Sequence, residues 1–164
     1  MLVQVGVGSL GLHRKTHMPV VVLKEEGGKR VLPIWIGPRA ASAIAVELAA
    51  EKFRRPLTHD LLVSVLESLD GELEKVVIGP LDGNVFLAEM IVRRHGEVIS
   101  IDARASDSIA VALRMEAEIF VHDDLLGSDS VELVEDQPTP ENDVGAERPW
   151  CMAPDCRFMV TRNP

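Results

Sequence analysis

The sequence predicts an α+β fold: a single compact domain with a mixed, largely antiparallel sheet packed against about three helices. Three observations carry that expectation. Runs such as Val3-Gln4-Val5-Gly6-Val7 alternate β-branched and small or polar residues, the period of a half-buried strand. Ala41, Ile44, Ala45, Leu48 and Ala49, and later Leu61, Leu62, Val65, Leu66 and Leu69, recur at helical spacing. Glycine-bearing turns at Glu26-Gly27-Gly28-Lys29, Gly79-Pro80-Leu81-Asp82-Gly83 and His95-Gly96 separate strand-like runs, as hairpins require.

Taken in order, the first strand is expected over Leu2–Val7, followed by a polar connection over Ser9–Met18 that carries His13, Arg14, Lys15 and His17. Pro19–Lys24 and Arg30–Ile36 are the arms of a hairpin, with glycines supplying the positive φ of its turn. Pro33 removes a ladder donor and should end the second arm, while Gly37-Pro38 suits a sharp start to a helix over Arg39–Lys52. Its many alanines would let another backbone come close. A second helix follows Pro56 and stops at Asp70-Gly71; Thr58 is placed to cap it and Asp60 to complement its dipole. Leu73–Ile78, Asn84–Arg94 and Val98–Ala103 read as strands, with Phe86, Ala88, Met90 and Val92 sharing one face of the second. Ser106 should cap a third helix reaching Met115, and Glu118–Val121 makes a last short strand. Trp35 and Phe86 are expected in the core.

The chain has 164 residues, 46% of them hydrophobic and 26% charged, enough for one well-buried core. It lacks an apolar run of the roughly 20 residues that cross a bilayer and a secretory pattern at its start, so no membrane association and a cytoplasmic location are expected. The net charge of −9 divides unevenly: Met1–Leu126 holds 14 Lys+Arg against 18 Asp+Glu, and Gly127–Pro164 holds 3 against 8. Residues 1–126 are therefore expected to form the domain and residues 127–164 an acidic, loosely ordered tail. A body that is not basic argues against a sequence-independent grip on a nucleic-acid backbone, and leaves phosphate contacts to a few arginines and helix N-termini. Cys151 and Cys156 both fall in the tail, too few for a zinc site and better read as free thiols.

Two helix starts carry the same polar kit. Arg54-Arg55-Pro56-Leu57-Thr58-His59-Asp60 and Arg104-Ala105-Ser106-Asp107 each place an arginine, a hydroxyl and a first-turn aspartate ahead of an apolar run. Leu32-Pro33-Ile34-Trp35-Ile36-Gly37, Arg55-Pro56-Leu57-Thr58-His59-Asp60-Leu61 and Asp102-Ala103-Arg104-Ala105-Ser106-Asp107-Ser108-Ile109-Ala110 resemble, in order and spacing, three signature blocks of the bifunctional nuclease domain family. The resemblance covers Val3 to Leu126 and departs from the family pattern at Ala105, where proline is usual. It implies a mixed α/β domain, a homo-oligomer, and nuclease activity on DNA and RNA.

Phosphodiester hydrolysis needs an activated water and stabilisation of charge on phosphoryl oxygens. On that reading His59, Asp60 and Asp107 are the catalytic candidates, with His59 as general base or metal ligand. Asp60 and Asp107 are carboxylates able to hold a divalent cation such as Mg2+. Arg55, Arg104, Thr58 and Ser106 are the candidates for holding nucleic-acid phosphate. Against it stand helix caps, dipole partners and structural ion pairs: Arg55 with Asp60, and Arg104 with Asp102 or Asp107. The competing function is a non-catalytic, oligomeric binding or regulatory domain whose same groups form an anion pocket.

Overall fold

The alternating valines at the N-terminus form a strand longer than their pattern. In the computed structural model, which describes residues 1–127, β1 spans Leu2–Leu12 and pairs antiparallel with β2, Pro19–Glu25, down to Leu12 opposite Pro19. A bulge between Val7 and Ser9 lets the strand continue through the segment expected as a loop, and only residues 13–18 form the turn. β3, Val31–Trp35, runs straight through Pro33. It does so because β3 is the edge of the sheet, where a missing N–H leaves no neighbour unpaired. Gly27 turns the β2–β3 hairpin at φ 70°. Arg30 then locks it, its guanidinium 2.7 Å from Glu25 and 2.8 Å from Asp123.

After α1, Pro38–Leu48, and α2, Thr58–Ser68, come β4, Gly71–Asp82, β5, Val85–Arg94, and β6, Glu97–Arg104. α3, Ala105–Met115, crosses back to β7, Glu118–His122, which a short 3-10 turn, Asp123–Leu125, follows. The sheet has seven strands in the order β3-β2-β1-β7-β4-β5-β6. Every neighbouring pair is antiparallel except β4 and β7, which run parallel. Two meanders are thus joined at their centre by the last strand. α3 is the crossover that puts it there, as a parallel pair requires.

The three α-helices and this mixed sheet make a single α+β domain among the described residues. Its core takes Val21, Leu23 and Ile34 from one meander, Val76, Ile78 and Met90 from the other, and Ile109 and Val111 from α3. Ala88, Met90 and Val92 point inward along β5, as the alternation predicts. α3 is the central helix, with Ala105, Ser108, Ile109, Ala110, Val111 and Ala112 all buried. Its alanines let α1 approach through Ala41 and Ile44, and α2 lies on its other flank.

α2 buries no residue fully, and most of its expected apolar stripe is not its core face: Leu61, Leu62, Val65 and Leu69 are exposed, and of that stripe only Leu66 packs inward, beside Val63. Trp35, expected in the core, is 48% exposed, whereas Phe86 does pack against the core. No helix among the described residues is long and apolar enough to cross a membrane. The acidic tail from residue 128 onward, with Cys151 and Cys156, lies outside the described residues.

Candidate active site

Three helix N-termini open onto one groove. Gly37, Leu57 and Arg104, the residues that precede α1, α2 and α3, all line it, over a floor that includes Phe86, Met90 and Ile101. The groove encloses about 1740 Å³, well above the roughly 300–1,000 Å³ of a pocket made for a small molecule. α1 and α3 have no side-chain cap, and α1 has no acidic residue in its first turn. Their free N–H groups and dipoles favour an anion at this end.

Asp107 organises the polar cluster. One carboxylate oxygen lies 3.1 Å from His59 Nε2 and the other accepts Arg104 Nε at 2.8 Å. The side chains of His59 and Asp107 are 15% and 29% exposed, that of Arg104 is 70% exposed, and all three line the groove. An ionised carboxylate only accepts, so the short contact puts the proton of a neutral imidazole on Nε2 and leaves a lone pair on Nδ1. Arg104 spends only its Nε on Asp107, which leaves both terminal nitrogens of its fork without a protein acceptor among the described residues.

Asp60 holds the same third helical position in α2 that Asp107 holds in α3, but it does different work. Oδ2 accepts the Leu57 N–H at 2.8 Å and Oδ1 accepts Arg114 Nε at 2.6 Å. The cap bond at this helix start therefore comes from Asp60, and Thr58 lies inside the first turn rather than capping it. Burial pushes the Asp60 carboxyl up. The bonds from Arg114 and Leu57, with the nearby Arg114 and His59 charges, outweigh that and hold it below the ordinary aspartate value. Arg114 is only 5% exposed and also donates to the carbonyls of Ala110 and Ala43, so one side chain ties all three helices together.

The expected site residues thus divide. His59, Asp107 and Arg104 converge; Thr58 and Ser106 line the groove without capping their helices. Asp60 faces the helix interface, and Arg55 is exposed, outside the groove lining and without the anticipated ion pair to Asp60. Each Asp60 oxygen already accepts a bond, from Leu57 N–H or Arg114, while the Asp107 oxygens face His59 and Arg104. Among the described residues no three His, Cys, Asp or Glu side chains gather as metal donors. The structure adds Arg114 and Arg39 to the expected residues. Arg114 does have a signal, since it falls seven residues after Asp107, two helical turns on the same face, where an apolar run would bury it. Arg39 lines the groove only because α1 begins there.

The profile of the bifunctional nuclease domain matches residues 21–134 of the chain. The chain belongs to the bifunctional nuclease domain family. An uncharacterized protein of Mycobacterium tuberculosis is 39% identical over 123 residues, covering 75% of this chain and 73% of the relative. Bifunctional nuclease 2 of Oryza sativa subsp. japonica is 27% identical over 121 residues, 71% of this chain and 37% of the relative. Bifunctional nuclease 1 of Arabidopsis thaliana is 25% identical over 133 residues, 76% and 41% respectively. The chain therefore spans about two fifths of the plant proteins' length or less. Within the family frame, Ala105 is the first residue of α3, where the usual proline would find an already extended Arg104 before it (φ −74°, ψ 144°).

Proposed function

We propose that this chain is a nuclease that hydrolyses phosphodiester bonds in DNA and RNA, with His59, Asp107 and Arg104 at the reacting phosphate. The observation that carries the reading is the shared Asp107 carboxylate, which orients a histidine and an arginine toward one groove at the starts of three helices. His59 Nδ1 takes a proton from the attacking water, and Asp107 holds the ring and stabilises the imidazolium that forms. The terminal nitrogens of Arg104 bind phosphoryl oxygens as charge builds on them, and the amides of the helix starts, with Ser106 and Thr58 beside them, add fixed donors. Asp60 and Arg114 set the helices in register, and Arg55 contacts substrate only beyond the groove edge. The donor set does not fit the expected two-carboxylate cation site, and no step here runs through a metal.

The reading includes a cytoplasmic homo-oligomer. The oligomer is supported by exposed apolar side chains of the single chain: Leu61 and Val65 on α2, Leu69 just after it, and Val98 and Ile99 on β6. That same surface favours the second reading, a non-catalytic oligomeric anion-binding domain. Cleavage of single-stranded DNA, duplex DNA and RNA by the full chain, with and without chelator, separates the two. Wild-type cleavage that disappears in folded His59→Ala and Asp107→Ala variants supports the nuclease. Anion binding at the groove without cleavage supports the binding domain.

A further inference from the structure

The Leu32–Gly37 motif contributes Gly37 to the groove but leaves Trp35 outside it. Trp35 ends β3 opposite Val20, which in turn lies opposite Gly11. Residues in such a row share a face, here the one opposite to Val21 and Ile34, which enter the core. Val20 is fully buried, Gly11 offers no side chain, and Trp35 remains 48% exposed. The indole is thus a half-open shelf rather than a core residue.

The turn beside it is firmly built. His13 N–H donates to the Met18 carbonyl at 2.9 Å, His17 N–H donates to the His13 carbonyl at 2.8 Å, and His13 Nδ1 lies 2.9 Å from the Thr16 hydroxyl. These bonds hold the His13 ring edge-on to Trp35, with centroids 6.2 Å apart and planes at 64°. The turn presents Arg14 and Lys15 to solvent, and neither has an acidic partner among the described residues. No Asp or Glu occurs from Met1 to Lys24, although the body as a whole is acidic. Fixed positive charge and an open aromatic face therefore coincide.

We propose that Trp35 and the His13–Met18 turn form a binding platform for single-stranded nucleic acid, with a base stacked on the indole and backbone phosphates held by Arg14 and Lys15. Any base presents a π-face, so such a shelf tolerates sequence, and a base inside a duplex cannot reach it. Trp35 lies two residues from Gly37, at most about 7 Å along the chain, so the platform stands near the groove mouth but on the other face of the sheet. The inference rests on the reading that this chain handles nucleic acid, and it adds a preference for single strands.

The test uses the full chain carrying Trp150→Phe, which leaves Trp35 as its one indole, and Asp107→Asn to suppress cleavage. Indole emission and the anisotropy of a labelled oligothymidylate are followed during titration, with a blunt duplex as competitor. Saturable quenching is expected, with duplex competing poorly. Trp35→Ala should weaken binding roughly tenfold or more, and Trp35→Phe, which keeps a ring, by less. Arg14→Ala with Lys15→Ala should flatten the logarithmic salt dependence by about 1.4, two phosphate contacts on a single strand. Absence of binding, binding without quenching, or unchanged affinity in Trp35→Ala overturns the platform. So does a change in assembly mass in Trp35→Ala at constant affinity, which makes the face a contact between copies. Binding by a wild-type chain that cleaves nothing removes the nuclease reading and keeps the platform. Cleavage with unaltered affinity in Trp35→Ala does the reverse.

Discussion

Asp60 and Arg114 meet at 2.6 Å across the α2–α3 interface, and this pair fixes the helix that carries His59 against the helix that carries Asp107. The contact between His59 and Asp107 is a consequence of it. His59 and Asp107 lie 48 residues apart in sequence and are brought to 3.1 Å only if α2 and α3 keep their offset.

Asp60→Ala should lower stability by about 2–3 kcal/mol, at or under the low end for breaking a buried pair because Asp60 is partly exposed and Glu47 remains near Arg114. Urea unfolding at neutral pH measures the loss. A cycle with Arg114→Leu should show coupling of at least about 0.5 kcal/mol, whereas additive effects would mean that the pair does not join the helices.

Acid should remove the same interaction. The Asp60 carboxyl sits below its ordinary value of 3.8 when folded, so its contribution is fully present above that value and is lost as pH falls through the lower, folded one. The stability gap between wild type and Asp60→Asn should therefore hold from neutral pH to about pH 5 and narrow only at more acidic pH. A gap that closes above pH 5 would assign the effect to another group.

Arg104→Ala should leave stability within about 0.5 kcal/mol, since the side chain is 70% exposed. If its free nitrogens meet the phosphate, kcat/KM for cleavage should fall about a hundredfold, with Arg104→Lys recovering only part because a point charge cannot grip two oxygens. Equal loss in both variants would fit a requirement for the fork; no loss in either would remove Arg104 from the site.

Ala105→Pro should raise stability by about 0.4–1 kcal/mol, by restricting the unfolded chain at the first position of a helix whose preceding residue is already extended. Thermal unfolding reads this directly. A lower midpoint would show that the buried Ala105 site has no room for the ring in this member.

Local signals in the sequence located the strands, the hairpin turns and all three helices, since alternation, helical spacing and paired glycines are properties of short windows. The insertion of β7 between β1 and β4 is not local, because it depends on how α3 crosses the sheet. Trp35 misled for a related reason. Its apolar neighbours on β3 suggest burial, but its row ends at Gly11 on the face away from the helices. At the site, His59 is the residue whose sequence context offers the weakest structural task, whereas Asp107 and Arg104 read equally as a dipole partner and an ion pair, and that pair is formed. Asp60 and Asp107 hold equivalent sequence positions, and their different partners, Arg114 and Leu57 N–H for Asp60 and His59 and Arg104 for Asp107, separate their roles.

The most direct measurement is the kcat/KM for phosphodiester cleavage in wild type, His59→Ala, Asp107→Asn and the double variant, each shown to be folded. If Asp107 acts through His59, each single change should cost heavily and the double should lose scarcely more than the worse single, as groups that work as one unit do. Losses that multiply, or single variants that keep the wild-type rate, would contradict a catalytic unit built on the Asp107 carboxylate.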